Sequence, residues 1–398
     1  MSGLEIRTER ADLYDVNMII VMRIRIEGSI NNAEEAFSKA VSSNEVLNTK
    51  VVIKEDGRAF YEPNNTPRSF IMGTDKNLDK VRQQQEKIRF RLEDGEFIRA
   101  YMNNGEILFL MHHLGGDGKS LSYFIEDFLT AASGEELTYK PMHEVELPVT
   151  SAGIKGKFFA HLLNRGWTGR TYTWNDQDKA YGQYWAGRTT VIEEKEEDLA
   201  STLNMLHDEK IGYTAYLIAG YLQDMDKKAD VGIAVDARQK GDRSMGNLAT
   251  GISFKYRYDK RKDRLGNAKA IHKLIHGKLS SPYKKYFILN FMPMLRRSLT
   301  DAINLVHAGT ESDPAAVKAA KAVGYLDDTK DLSVTNLTSL DIRTDYNGFR
   351  LVRLSFTGPV VSYGKNIVSC CTLNNVTVTT RHTRIREKSP QPRAEGLV

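Results

Sequence analysis

Apolar residues recur along this chain at two periods, and the switches between them mark its elements. Over residues 17–27, Val21, Arg23 and Arg25 are interleaved with apolar neighbours, which predicts a strand. Asn31 and Asn32 then offer a cap for a helix over 33–41. A strand at 47–54 turns at Gly57 into Ala59-Phe60-Tyr61, and the polar stretch 78–89 reads as a helix. Runs at 96–102 and 106–112 flank Asn103-Asn104-Gly105, and Asn-Gly suits a two-residue hairpin turn. Residues 138–183 read as a long crossover interrupted by Pro141 and Pro148, with a helix at 153–164. Trp167, Trp174 and Trp185 crowd its second part, either anchoring the connection or lining a substrate entrance. The remainder predicts strands at 189–193, 231–235 and 252–258, and helices at 197–206 and 214–225. A long helical region over 265–306 breaks near Ser281-Pro282. Late strands follow at 332–340, 352–356, 367–373 and 376–380. Strands mixed with helices in this order predict an α+β fold.

One stretch stands out, residues 111–128, which read MHHLGGDGKSLSYFIEDF. His112 and His113 close the apolar run Ile107-Leu108-Phe109-Leu110. Asp117 and Gly118 follow, and then Leu121, Phe124, Ile125, Phe128 and Leu129 recur at helical spacing. The order is buried strand, polar turn, amphipathic helix. Gly115 and Gly116 allow a tight turn that another backbone or a ligand can approach. Neighbours at a strand end point to opposite faces, which separates His112 from His113. Asp117 follows a buried strand, so its carboxylate is expected to turn inward, where it needs a positive partner. Arg238 is the leading partner and Arg99 the second.

The HHxxxDG pattern of His112, His113, Asp117 and Gly118 resembles that of condensation-domain acyltransferases. That superfamily includes peptide-synthetase condensation domains, chloramphenicol acetyltransferase, alcohol acetyltransferases and plant acyltransferases. Residues 90–100, FRLEDGEFIRA, look like the family's approach strand. Val235-Asp236-Ala237-Arg238 with Gly246-Asn247 is similar to its V-D-x-R … G-N segment. Val334-Thr335-Asn336 and Phe356-Thr357-Gly358-Pro359 fall where the family has late strands. The plant branch's Asp-Phe-Gly-Trp-Gly motif is absent from the sequence.

The resemblance implies two chloramphenicol-acetyltransferase-like subdomains, 1–165 and 166–385, forming a V with a central tunnel. Residues 386–398, rich in charge and proline, read as a disordered tail. It also implies acyl transfer from a thioester to an amine or hydroxyl, forming an amide or ester. His113 would be the general base, a task that suits a side chain titrating near neutrality. His112 would be structural. Asp117 would hold the loop through an arginine, the alternative being a second catalytic carboxylate. Gly118 would present a backbone N–H to the oxyanion or serve only the tight turn. Asn247, Thr335, Asn336 and Thr372 are read as lining the acceptor side, each with the alternative of an ordinary strand-end polar residue. The expected co-substrate is acyl-coenzyme A or a carrier-protein phosphopantetheine thioester, with no tightly bound cofactor. The second hypothesis is a catalytically inactive scaffold or binding protein of the same fold.

Composition narrows the field further. A net charge of +5 with scattered bases does not imply nucleic-acid binding, and is compatible with a phosphate-bearing partner. No apolar run is long enough for a membrane helix, and the first residues do not resemble a signal peptide. Cys370 and Cys371 are adjacent, a poor geometry for a disulfide. They read as reduced packing residues in a cytoplasmic protein. His272 and His276 lie at i, i+4 without a nearby HExxH acid, so no metal site is expected.

Overall fold

The computed structural model describes residues 3–142, 149, 151–239, 241–326, 329–362, 364 and 366–386. It is an α+β fold built on two six-stranded mixed sheets and one three-stranded sheet. The first large sheet runs Asp345–Tyr346, Phe349–Thr357, Ile19–Gly28, Glu106–His112, Ile98–Asn103, Phe70–Gly73. The second runs Ala249–Tyr256, Ala229–Asp236, Leu332–Ser339, Ile367–Leu373, Val376–Arg386, Arg188–Asp198. Residues 345–357 therefore belong by hydrogen bonding to the first sheet, although they lie late in the chain.

The strand Glu106–His112 is central in its sheet, and every residue after Glu106 is buried. That explains an uninterrupted apolar run in place of alternation. Its hairpin with Ile98–Asn103 turns through Asn104 at φ 48° and Gly105 at φ 76°. Two consecutive left-handed residues make the turn type whose twist matches the strands. The helix Gly118–Ala132 then packs Leu121, Phe124, Ile125, Phe128 and Leu129 into the core. Phe124 stands edge-on to Phe37 of the helix Ala33–Ser42, and Phe128 edge-on to Phe109. Strand and helix are thus locked to one another on either side of the histidine loop.

Several boundaries differ from those predicted. Glu197 belongs to the strand Arg188–Asp198, and the helix begins only at Ala200. The acidic run stays extended because Glu194 and Glu196 pair with Arg353 at 2.6 and 2.7 Å, tying this strand to the first sheet. The last strand, expected to end at Thr380, continues to Arg386 in register with all eleven residues of Arg188–Asp198. Arg386 is therefore ladder, not tail, while the rest of the expected tail and Pro148 lie outside the described residues. The crossover holds a second helix, Trp174–Trp185, started by a capping box between Thr173 and Asp176. Its tryptophans act as anchors: Trp167 donates to Ser298, Trp185 to the carbonyl of Val16, and Trp174 carries the Arg89 guanidinium.

Cys370 and Cys371 are buried and free, and burial pushes the Cys371 thiol up to about 12. Among the described residues there is no cluster of potential metal ligands, and no helix is long and apolar enough to cross a membrane.

Candidate active site

The loop 113–117 joins the central strand to the first turn of the Gly118–Ala132 helix. Its two histidines occupy different surroundings. His112 is 1% exposed and lies beside the Phe90 ring. Its Nδ1 accepts the Leu114 N–H at 3.1 Å, which places the ring proton on Nε2. Burial and the neighbouring His113 and Arg99 drive its pKa down to about 3, so its imidazole is neutral. His113 is half-buried, and its backbone N–H donates to the carbonyl of Met18 at 2.9 Å. Its Nδ1 is enclosed without a hydrogen-bond partner. Burial lowers its pKa from the ordinary 6.5, while Asp117 and Asn247 pull it back up. A neutral imidazole beside a carboxylate and an amide, partly open to solvent, is equipped to accept a proton.

Asp117 caps the helix, taking the Ser120 N–H at 2.9 Å on Oδ1. Its Oδ2 accepts from Arg238 Nη1 at 2.7 Å and from the Leu248 N–H at 3.0 Å. Burial alone would raise this carboxyl, but the Arg238 charge and three hydrogen-bond donors hold it below its ordinary value. Arg238 is equally committed. Its Nε donates to the carbonyl of Ser244, Nη1 also to Asp236, and Nη2 to Ser120 Oγ and the carbonyl of Gly246. The loop 237–248 links two antiparallel strands of the second sheet. Through this network it grips the start of the motif helix, across 121 residues of chain.

Arg99 goes elsewhere. It pairs with Glu96 at 2.7 Å, stacks over Phe90, and donates to the carbonyls of Ile88 and Arg89. Gly118 sits where a Cβ would come within 2.8 Å of Phe356 and 2.9 Å of Leu337. Only a glycine lets the late strands approach the helix start so closely. Asn247 reaches the site and donates to Asp12 Oδ2 at 2.6 Å. The other residues read as acceptor-lining make contacts within the second sheet and to the segments beside it. Asn336 bonds Thr214 and the Thr338 N–H, Thr372 bonds Thr377 across the strand pair, and Thr335 faces Gly358.

Asp12 was not singled out from the sequence. Burial, Asp15 and Glu9 raise its pKa to about 8, so it is protonated at neutral pH beside the residue that supports His113. The available signal was a pair of acids, Asp12 and Asp15, inside the otherwise apolar ADLYDV. A carboxyl raised on folding contributes stability at low pH that is lost as pH rises from 3.8 towards about 8. Asp12→Asn removes that dependence. The variant is expected to gain thermal stability relative to the parent as pH rises through this window, read from melting curves at matched ionic strength. A constant difference across the window would show that Asp12 is ionised in the folded protein.

No protein-family model and no curated protein sequence matches this chain. Solved structures do. The polyketide synthase associated protein 5 from Mycobacterium tuberculosis superposes with a TM-score of 0.59 at 13% identity, covering 96% of this chain and 94% of that one. The first condensation domain of the CDA synthetase gives 0.59 at 12% identity, covering 96% and 90%. A substituted starter condensation domain of rhizomide synthetase, solved with C8-CoA and Leu-SNAC, gives 0.61 at 10% identity, covering 96% and 88%. At these identities the likeness speaks for the backbone alone. The chain has the condensation-domain fold, with two mixed sheets and their helices in the arrangement those structures share.

Proposed function

We propose that this protein is an acyltransferase that moves an acyl group from a thioester to an amine or hydroxyl acceptor. The observation that carries the reading is His113: a neutral, half-open imidazole on a loop held in shape by the buried Asp117–Arg238 pair. The donor would be acyl-coenzyme A or an acyl group on a carrier-protein phosphopantetheine arm, reaching His113 from between the two large sheets. His113 takes the proton from the acceptor nitrogen or oxygen as that atom bonds to the thioester carbon. The carbonyl oxygen gains the electron pair, and the first turn of the motif helix, beginning at Gly118, offers N–H groups and a positive dipole end to it. Collapse of the tetrahedral species breaks the C–S bond, and the imidazolium returns its proton to the departing sulfur. No covalent enzyme intermediate is required.

The test is thiol release from a panel of acyl-coenzyme A and phosphopantetheine thioesters, each with amine and alcohol acceptors. Acceptor-dependent thiol release with at least one pair supports the reading. Silence with every pair, together with saturable binding of a thioester, favours a binding protein of the same fold. The pH profile supplies a second check. Because burial lowers the His113 pKa, the acid limb of kcat/KM is expected below pH 6.5. A limb well above that value would assign the base to another group.

A further inference from the structure

The helix Gly153–Asn164 turns its outward face to solvent with an unusual composition. Gly156, Ala160 and Leu163 are buried and form its inner face. On the opposite side Ile154, Phe158 and Leu162 stand at i, i+4 and i+8, exposed by 88%, 63% and 41%. Lys155, Lys157 and His161 flank that stripe. The patch continues onto the neighbouring segment. Phe287 lies 3.3 Å from where a Cβ on Gly156 would be, and Phe159 and Phe287 both stack on Phe291, with centroids 5.6 and 5.4 Å away. Tyr283 and Ile288 of that segment are exposed as well.

The charge pattern matches this surface. Residues 264–300 contain eight Lys or Arg and no Asp or Glu, and residues 151–175 contain four and none. The whole chain is nearly balanced, with 56 basic and 51 acidic residues. An exposed aliphatic and aromatic stripe edged by lysines has the pattern of an interfacial helix. A nucleic acid would leave Ile154 and Leu162 in water. A second copy would bring the same acid-free segments against themselves and be repelled.

We infer that this face docks on an anionic phospholipid bilayer, with Ile154, Phe158 and Leu162 inserting between headgroups and Lys155 and Lys157 meeting lipid phosphates. The site lies close behind the patch. The Thr250 hydroxyl donates to the carbonyl of Lys285 at 2.9 Å, and Ala237, next to Arg238, packs with Tyr286 and Leu289. Docking here would bring membrane-borne substrates or products near the loop that carries Arg238 and Asn247.

The experiment is flotation of the full chain with phosphatidylcholine vesicles, with and without phosphatidylglycerol, at low and high salt. It reads binding, so its outcome is separable from that of acyl transfer. Binding is expected only with phosphatidylglycerol and should weaken with salt. Lys155→Ala and Lys157→Ala should each weaken it about fivefold, the equivalent of about 1 kcal/mol per base. Phe158→Glu should weaken it by about tenfold or more, from the lost burial of one aromatic. Ile154→Glu, at the most exposed apolar position, should do the same. Failure to float with phosphatidylglycerol overturns the inference, as does unchanged flotation of the Phe158 and Ile154 variants. Self-association abolished by Phe158→Glu, in light scattering without lipid, would instead assign the face to a second copy.

Discussion

Replacing His113 by alanine is expected to lower turnover by about a hundredfold to ten-thousandfold, the range for loss of a positioned general base. The imidazole is half-buried and makes no hydrogen bond through Nδ1, so the fold should survive the change. His112→Ala should behave in the opposite way. Its ring is enclosed and accepts the Leu114 N–H, so the loss should appear first in the melting temperature. Any loss of turnover there should follow the loss of folded protein. The pair of measurements is turnover at saturating donor and acceptor, and thermal unfolding, on the same preparations. A His112 variant that melts normally but is inactive, beside a His113 variant that still turns over, would reverse the two roles.

The two histidines also show how far the linear sequence carries. The strand, turn and helix around them were legible because burial on both faces of Glu106–His112 leaves an unbroken apolar run. Helical spacing from Leu121 to Leu129 was equally plain. The inward turn of Asp117 followed from its place after a buried strand. Which strands share a sheet was not legible. Phe349–Thr357 pairs with Ile19–Gly28 across more than 300 residues, and alternation says nothing about partners at that distance. Glu197 was placed at the start of a helix, whereas the acidic strand runs on to Asp198. Its extended form depends on Arg353 in another sheet, which no local pattern reveals. Asp12 was missed for the same reason: its raised pKa comes from residues that gather only in the folded chain. The polar residues Asn336 and Thr372 looked available in sequence because their partners, Thr214 and Thr377, are set by packing and register.

Removing either partner of the Asp117–Arg238 pair is expected to cost about 3–5 kcal/mol of stability, because each removes the main buried counter-charge of the other. Their side chains are 6% and 1% exposed and meet at 2.7 Å. The cost should be shared by groups beyond the pair. Asp117→Asn weakens the grip on the Leu248 N–H and on Arg238, while Arg238→Ala also takes one donor each from the carbonyls of Ser244 and Gly246 and from the hydroxyl of Ser120. Both changes loosen the same joint between the motif helix and the loop 237–248, so activity should fall with stability as His113 loses its setting. The losses cannot simply add. Once one charge is gone, removing the other relieves a stranded group, so the double variant should be less damaged than the sum of the singles, by about 0.5–3 kcal/mol. Linkage gives a further signature. The Asp117 pKa is lowered on folding, so the stability it contributes is present above pH 3.8 and is lost as pH falls through its folded value. Asp117→Asn should therefore flatten the acid side of the stability curve. Denaturant titrations of the four proteins, repeated across the acidic range, read all of these quantities. Additive losses with an unchanged acid limb would mean that the pair is not the joint, and that the backbone bonds around Ser120 and Leu248 hold the loop without it.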